Sequence, residues 1–494
     1  MRKVKVRTLY LIAIIVGGLV GLATKSTYAM FTASAEIDNP ICMSTNLTNE
    51  EETIETMEVV MPAGEKKIVP VTINNTSTNT VGYSVWYTSP SDKVEIGIKL
   101  SNSDSSNSTG TIRSNGSKKV YVQIINNSAS SVTITLGVIS NKTSNDMTLI
   151  PNTELDFSVN LVTYIKNLYT NATKTTTTVN SVTYNLAPSE GLMNDRKGSM
   201  STNIDKGNIR YYGANPNNYI YFNCSDYKNQ NDTTCEKWRI IGVVDGKVKI
   251  MRGSSIGGYS WDNKNSSTGV ETAYGKNDWT TARLMKLLNP NNYYTIDSND
   301  NGNGQSLYWN AKSGTCFSGQ NNATTSCNFT STGLKNDITR NMIAETTYYT
   351  RGHNSHQIFV DAMYDKERVS GTVVNATPPR TLTWTGKVAI PYPSDYGYAA
   401  DLSLCKQTLN NYDNSTCTAN NWMKSILAPN YGWLFTPDSS DTYSVWSVDS
   451  SGYVSKGNGY AYYSVGVSPV LSLTSELGII SESGTSSSPY QLSV

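Results

Sequence analysis

Six of the seven cysteines fall in three close pairs: Cys224 with Cys235, Cys316 with Cys327, and Cys405 with Cys417. The ten or eleven residues inside each pair are too many for one half of a zinc site, whose ligands stand about two to four residues apart. The spacing suits small disulfide-closed loops. Local pairing is the simplest of the fifteen ways to join six thiols. Each loop would then contribute about 3 kcal/mol in a chain-entropy account. A chain stapled this way belongs in an oxidising compartment. Cys42 is left over, as a free thiol or an intermolecular link.

The N-terminus agrees with export. Arg2, Lys3, Lys5 and Arg7 precede an apolar run from Leu9 to Ala23, and small residues follow at Thr27–Ala29 and Ala33–Ala35. That run is shorter than the roughly 20 residues of a membrane span. Residues 1–29 therefore read as a secretory signal. The alternative is an uncleaved N-terminal anchor, which would be the membrane contact of the chain. Either way the charge bias puts the remainder outside the cytoplasm, at the cell surface or beyond it. Net charge is +1 and only 16% of residues are charged, so no basic field exists to hold nucleic acid.

Residues 36–160 predict an all-β sandwich. Lys67–Ile73, Gly82–Tyr87, Val94–Leu100, Lys119–Ile125 and Ser131–Val138 are apolar or alternating at strand length, with Asn/Ser/Gly turns between them. GEKKIVPVTINN at 64–75 and GSKKVYVQIINN at 116–127 echo one another. The echo marks either equivalent strands of two sheets or the shared grammar of a strand followed by an Asn turn. Residues 161–205, with the Thr-rich TNATKTTTTVNS, read as a linker after a short helical piece at Leu161–Tyr169.

Residues 206–494 predict an α+β domain. Trp238–Val244 and Lys247–Met251 flank Asp245-Gly246, a type I′ hairpin signal. Short helices are expected at Trp279–Leu288 behind an Asp278 cap, and at Asp337–Thr347, Gln357–Lys366 and Asn421–Leu427. Ile479–Ser481 and Tyr490–Ser493 form a candidate terminal hairpin. The stretch Tyr431–Leu473 ends in a buried-strand run, Val467–Leu473, and carries aromatic residues among Ser, Gly and Asn. That mixture builds either an aromatic β core or a recognition surface, because Tyr offers contact area at low rotamer cost. Tyr443, Trp446, Tyr453, Tyr460, Tyr462 and Tyr463 are the candidate ligand contacts. Strand alternation lets only some of them face outward.

Two resemblances bear on this reading. The start YAMFTASAEIDN resembles that of camelysin and TasA-like secreted proteins, and PAGEKKIVPVTINN is similar to extracellular Ig-like strands. The phrases YGANPNNYIYFNCSDY, CEKWRIIGVVDGKVKIMRG, LYWNAKSGTC and GVSPVLSL resemble a domain recurrent in secreted and surface proteins of gut Firmicutes. Its ending is similar to the G-V-R-P-x-L-x-L of C-type-lectin-like and formylglycine-generating-enzyme-like folds, with Ser468 where Arg is usual. The resemblance implies an Ig-like sandwich followed by a C-type-lectin-like domain.

No catalytic constellation emerges. His353 and His356 are the only histidines, and no G-x-S-x-G is present. Asp297, Asn299 and Asn301, with Gly302 at the turn, match the first half of a calcium loop, but Tyr308 stands where a bidentate Glu is needed. No cofactor is therefore expected: the segment reads first as a solvated Asn/Gly loop, with calcium binding as the alternative. The expected function is non-enzymatic recognition of a surface glycan or protein, hence adhesion. The rival is a structural matrix or envelope protein that self-associates through its N-terminal β domain.

Overall fold

The computed structural model describes residues 42–43, 54–99, 107–140, 148–155, 158–197, 207–264, 274–296, 298–300, 302–374, 379–427, 429–456, 459–481 and 483–493. The predicted signal, Asp297 and Asn301 lie outside them, as do the side chains of Cys42 and Asn299. The chain divides into two compact units, Met1–Phe157 and Ser158–Val494.

In the first unit each of the five predicted strands forms, Val94–Leu100 over Val94–Ile98, with Leu100 outside the described residues. A four-stranded sheet runs in the order Cys42–Met43, Lys66–Asn74, Ser117–Asn126, Val94–Ile98. A five-stranded sheet runs Ile54–Met61, Val132–Ser140, Val81–Thr88, Thr109–Ile112, with Thr148–Leu149 also on Val81–Thr88. One core joins the two sheets: Val69, Val71 and Ile73 from the first, Met57, Val59, Val85 and Leu136 from the second. Alternation explains it, since successive side chains of a strand point to opposite faces.

The sequence echo occupies neighbouring strands of one sheet, Lys66–Asn74 and Ser117–Asn126, paired antiparallel from Lys66↔Ile125 to Asn74↔Ser117. Each ends in a buried Asn that plugs a corner. Asn75 donates to the carbonyls of Asn79, Ile112 and Arg113. Asn126 donates to those of Met61, Pro62 and Ser130 at 2.9, 2.9 and 3.0 Å. Each carboxamide oxygen accepts from the backbone N–H two residues on, at Ser77 and Ser128. Asn126→Ala is expected to cost about 3 kcal/mol in urea unfolding, because an orphaned buried acceptor costs about 1–3. The exposed Asn127, whose side chain donates to the Glu95 carboxylate, serves as the near-neutral control.

The second unit is built on a nine-stranded sheet. Its order is Thr175–Val179, Val182–Ala187, Leu192–Asn194, Ile209–Tyr211, Glu236–Val244, Lys247–Arg252, Val470–Ser472, Val388–Ala389, with Tyr219–Phe222 also on Glu236–Val244. The Asp245-Gly246 hairpin forms as predicted, with φ of 50° and 79° at its two turn residues. The run ending in Leu473 supplies Val470–Ser472, which lies between Lys247–Arg252 and Val388–Ala389.

The linker reading of 161–205 is corrected over 161–197, and 198–205 lie outside the described residues. Leu161–Asn171 is a helix, capped by Asn160, whose side chain accepts from the Thr163 N–H. The Thr run is a strand, Thr175–Val179, that buries Thr177 and Val179. Composition suggested a spacer, but β-branched Thr favours a pleated surface. The two-residue turn Asn180-Ser181, with φ of 45° and 65°, returns the chain onto Val182–Ala187. The helices are shorter than predicted. The one behind Asp278 spans only Arg283–Leu288, because Asp278 closes a local turn through Thr280. Asp337–Asn341, Val360–Asp365 and Lys424–Leu427 are the others, and Thr346–Tyr349 is a strand. The terminal hairpin forms from Gly478–Ser481 and Gln491–Ser493. All three cysteine pairs are disulfides. No helix among the described residues is long and apolar enough to cross a membrane.

A candidate recognition site of stacked tyrosines

A five-stranded sheet carries the site, in the order Gly258–Tyr259, Val465–Gly466, Gly432–Pro437, Val445–Val448, Val454–Ser455. Tyr443 leads into one of its strands, and Tyr460, Tyr462 and Tyr463 lie on the return between two others. Backbone bonds fix that return beside Tyr443. Ala461 N–H donates to the Tyr443 carbonyl at 2.9 Å and Val445 N–H to the Gly459 carbonyl at 2.7 Å. Ala461 is fully buried while its neighbours Tyr460 and Tyr462 are half-buried, in a turn closed by the Tyr463 N–H on the Tyr460 carbonyl at 2.9 Å.

The rings form one cluster. Tyr460 stacks with Tyr462 and Tyr463 at centroid distances of 6.0 and 5.6 Å, and Tyr462 lies 4.5 Å from Tyr463. Tyr443 stands 5.4 Å from Tyr460. A fifth ring, Tyr274, stacks on Tyr460 at 4.9 Å and on Tyr462 at 5.8 Å. All five are half-buried, with part of each side chain open to solvent. Burial, with Tyr463 beside it, pushes the Tyr462 phenol up to about 12. The Tyr462 ring therefore keeps its hydroxyl proton across the physiological range and can both stack and hydrogen-bond.

Tyr274 was not among the sequence candidates, and neither were the groups that hold it. Asn277 is buried and donates to the carbonyls of Asp438, Asp441 and Ser444 at 3.1, 3.1 and 2.7 Å. Its N–H reaches the Thr442 carbonyl at 2.8 Å. Arg380 donates to the Asn277 side chain and to the Thr442 carbonyl. Gly275, at φ +75°, packs where a Cβ would come within 2.0 Å of the Asp262 carbonyl oxygen, so only glycine fits. The sequence signal for this support was the Gly275–Asn277 segment, visible only once the fold brings it to Tyr443.

Asp262 ties the segment that carries Tyr274 to the return that carries Tyr460 and Tyr462. Its N–H donates to the Ala461 carbonyl at 3.0 Å, and its carboxylate accepts from Lys276 N–H at 2.9 Å and Arg283 N–H at 3.3 Å. Burial raises this carboxyl to about 6, against the pull of Arg283 and the two N–H groups. That is above the unfolded value of about 4. The folded state therefore holds the proton more tightly, and its advantage is lost as pH rises through 6. Stability is expected to increase by about 1 kcal/mol from pH 7 to pH 5, and Asp262→Asn should flatten that slope in paired urea titrations.

Two predicted contacts lie elsewhere. Trp446 is fully buried in the main core and donates from Nε1 to the His353 carbonyl at 3.0 Å. Its strand, Val445–Val448, is buried on both faces, so alternation does not bring the ring out. Tyr453 is half-buried off the cluster, 6.1 Å from the His356 ring. Of the calcium loop, Gly302 turns as expected at φ +75°. Asp300, which sits inside that loop, is buried and committed inward to Arg283 and Lys286 at 3.2 and 2.5 Å. Among the described residues no group of three or more His, Cys, Asp or Glu side chains is placed to hold a metal.

No family model matches this chain, and no curated protein does. Among solved structures it is similar to Aeromonas hydrophila PliG, a periplasmic lysozyme inhibitor of g-type lysozyme, at 10% identity and a TM-score of 0.13, over 20% of this chain and 96% of that one. A score that low says nothing about fold or function.

Proposed function

We propose that this chain is an exported surface protein whose second unit recognises a ligand, without catalysis, through the tyrosine cluster. The single observation that carries this reading is the half-exposed stack of Tyr274, Tyr443, Tyr460, Tyr462 and Tyr463 on a firm β base. Stacked hydroxyl-bearing rings favour a flat ligand with one apolar face and a polar rim, which is the chemistry of a sugar ring. Glycan is therefore the preferred ligand and adhesion the preferred role. The disulfides support an oxidising, extracellular setting. In this reading the first unit is an Ig-like spacer and the second a C-type-lectin-like head, with residues 1–29 as the secretory signal.

Self-association is the second reading, and one observation favours it. Ile54–Met61 is an eight-residue strand at the sheet edge among the described residues, with Val60 56% exposed. Long edges invite strand addition. The deciding experiment presents the oxidised, signal-free chain to glycan and mucin arrays, with and without EDTA, beside non-reducing gels. Glycan binding by a monomer supports recognition, and loss in EDTA would bring calcium into it. Cys42-dependent polymers without array binding from a cooperatively melting sample would replace it with the structural reading.

A further inference from the structure

A cavity of about 610 Å³ opens in the second unit and shares no lining residue with the tyrosine cluster. Its size is that of a small-ligand site. Arg196, Lys197, Lys247, Lys249 and Arg368 line it, against only Asp245 and Asp365. The other compensating carboxylates are not in the wall. Asp395 pairs with Lys249 at 2.5 Å and with Arg210 at 2.9 Å, and Glu367 pairs with Arg368 at 2.7 Å. Asp195 is taken by Arg210 and Asp365 by Lys197.

Among the described residues, then, the buried cluster of Arg210, Lys249 and Arg368 is balanced by Asp195, Asp395 and Glu367. At the rim, the Arg196 and Lys247 side chains have no carboxylate partner among the described residues. The Arg196 guanidinium donates to the Thr183 carbonyl and the Lys247 ammonium to that of Glu345. Asp245 offsets one of them, which leaves one positive charge. Arg368 is held rigidly, its guanidinium 3.8 Å from the Tyr364 ring centre and 4.6 Å from that of Tyr392. Its one hydrogen bond among the described residues runs from Nη1 to Glu367, and Nε has none. Arg196 itself sits at φ +59°, a conformation that a non-glycine residue adopts at a cost. Its N–H is pinned to Asn194 Oδ1 at 2.8 Å.

We propose that this cavity binds a single carboxylate group, carried either by a sugar acid or by the free C-terminus of a peptide. Guanidinium groups recognise planar oxyanions through paired donors. One surplus positive charge matches a monoanion, whereas a phosphate dianion would leave a negative charge uncompensated in a partly buried site. Thr346, Thr347 and Ser472 also line the wall, which adds polar surface beside the charged rim.

The test is calorimetric titration of the oxidised full chain with glucuronate, glucose, acetyl-alanyl-alanine, its amide, and inorganic phosphate. At least one carboxylate should bind tenfold or more tightly than its neutral counterpart, and which one does so identifies the source. Arg368→Ala is expected to disturb folding, so the decisive variant is Arg196→Gly with Lys247→Ala. Both are half-buried rim residues, and glycine accepts the left-handed backbone. This double variant should melt like the parent and lose tenfold or more in affinity. The proposal is overturned if neither carboxylate outbinds its neutral counterpart. It is equally overturned if phosphate binds more tightly than both, or if the double variant binds as well as the parent.

Discussion

Asp395→Ala is expected to abolish the cooperative melt of the second unit at neutral pH. Asp395 is fully buried and accepts from Arg210 and Lys249, while its second oxygen also takes the Tyr392 N–H at 3.0 Å. Removing it strands two buried cations with one fewer anion. Breaking a buried pair this way costs about 3–5 kcal/mol, a large part of an ordinary domain's stability. Replacing the whole cluster by apolar residues would cost far less, because the loss comes from uncompensated charge rather than from a missing attraction. Burial alone would raise the Asp395 carboxyl, but Lys249, Arg210 and Arg368 pull it well below the usual carboxylate range. Its contribution is therefore complete above the unfolded value of about 4 and is lost only as pH falls further toward the folded value. Circular-dichroism melts of parent and variant at pH 7 check the first claim. A parent melt that survives from pH 5 to pH 3 checks the second.

A comparably large effect is expected from Cys405→Ala with Cys417→Ala. Both sulfurs are buried in the main core of the second unit, beside Tyr396, Trp422 and Trp446. The loop they close sends Leu409 and Tyr412 into the same core, so releasing it loosens packing as well as chain entropy. Loop closure contributes about 3 kcal/mol and the lost apolar contacts about 1–2 more, which predicts a cost of about 4–5 in guanidinium unfolding. Cys316–Cys327 is the instructive contrast. It joins Ser313–Phe317 to Thr324–Asn328, which already pair as a hairpin. Its removal should cost about 2 kcal/mol, since the backbone closes most of that loop by itself.

What the sequence disclosed was mostly local. The Asp245-Gly246 turn, the three disulfides and the terminal hairpin each need only neighbouring residues, and each was legible. Four of the clustered tyrosines were legible for the same reason, since Tyr443, Tyr460, Tyr462 and Tyr463 lie in one Ser/Gly/Asn-rich stretch. Tyr274, Asn277 and Arg380 come from distant segments and carry no periodic signal that points toward Tyr460. Trp446 was misplaced because an aromatic residue on a polar-flanked strand looks half-exposed, whereas that strand is covered on both sides. The Thr-rich segment was misjudged by composition. Its β-branching and the Asn180-Ser181 turn carried the strand signal, and low hydrophobicity hid it. The charged cluster behind the 610 Å³ cavity was invisible, because its members are scattered from Asp195 to Asp395.

The central claim is that the stacked tyrosines form the recognition surface. Its most direct test compares the full oxidised chain with a Tyr460→Ala, Tyr462→Ala, Tyr463→Ala triple variant on the glycan that the array selects. Losing three stacking rings at about 1–2 kcal/mol each predicts an affinity loss of at least 100-fold. The melting temperature should stay close to that of the parent, because these rings are half-exposed and Ala461 between them stays buried. A folded triple variant that binds the glycan as tightly as the parent would contradict the account and move the recognition surface elsewhere.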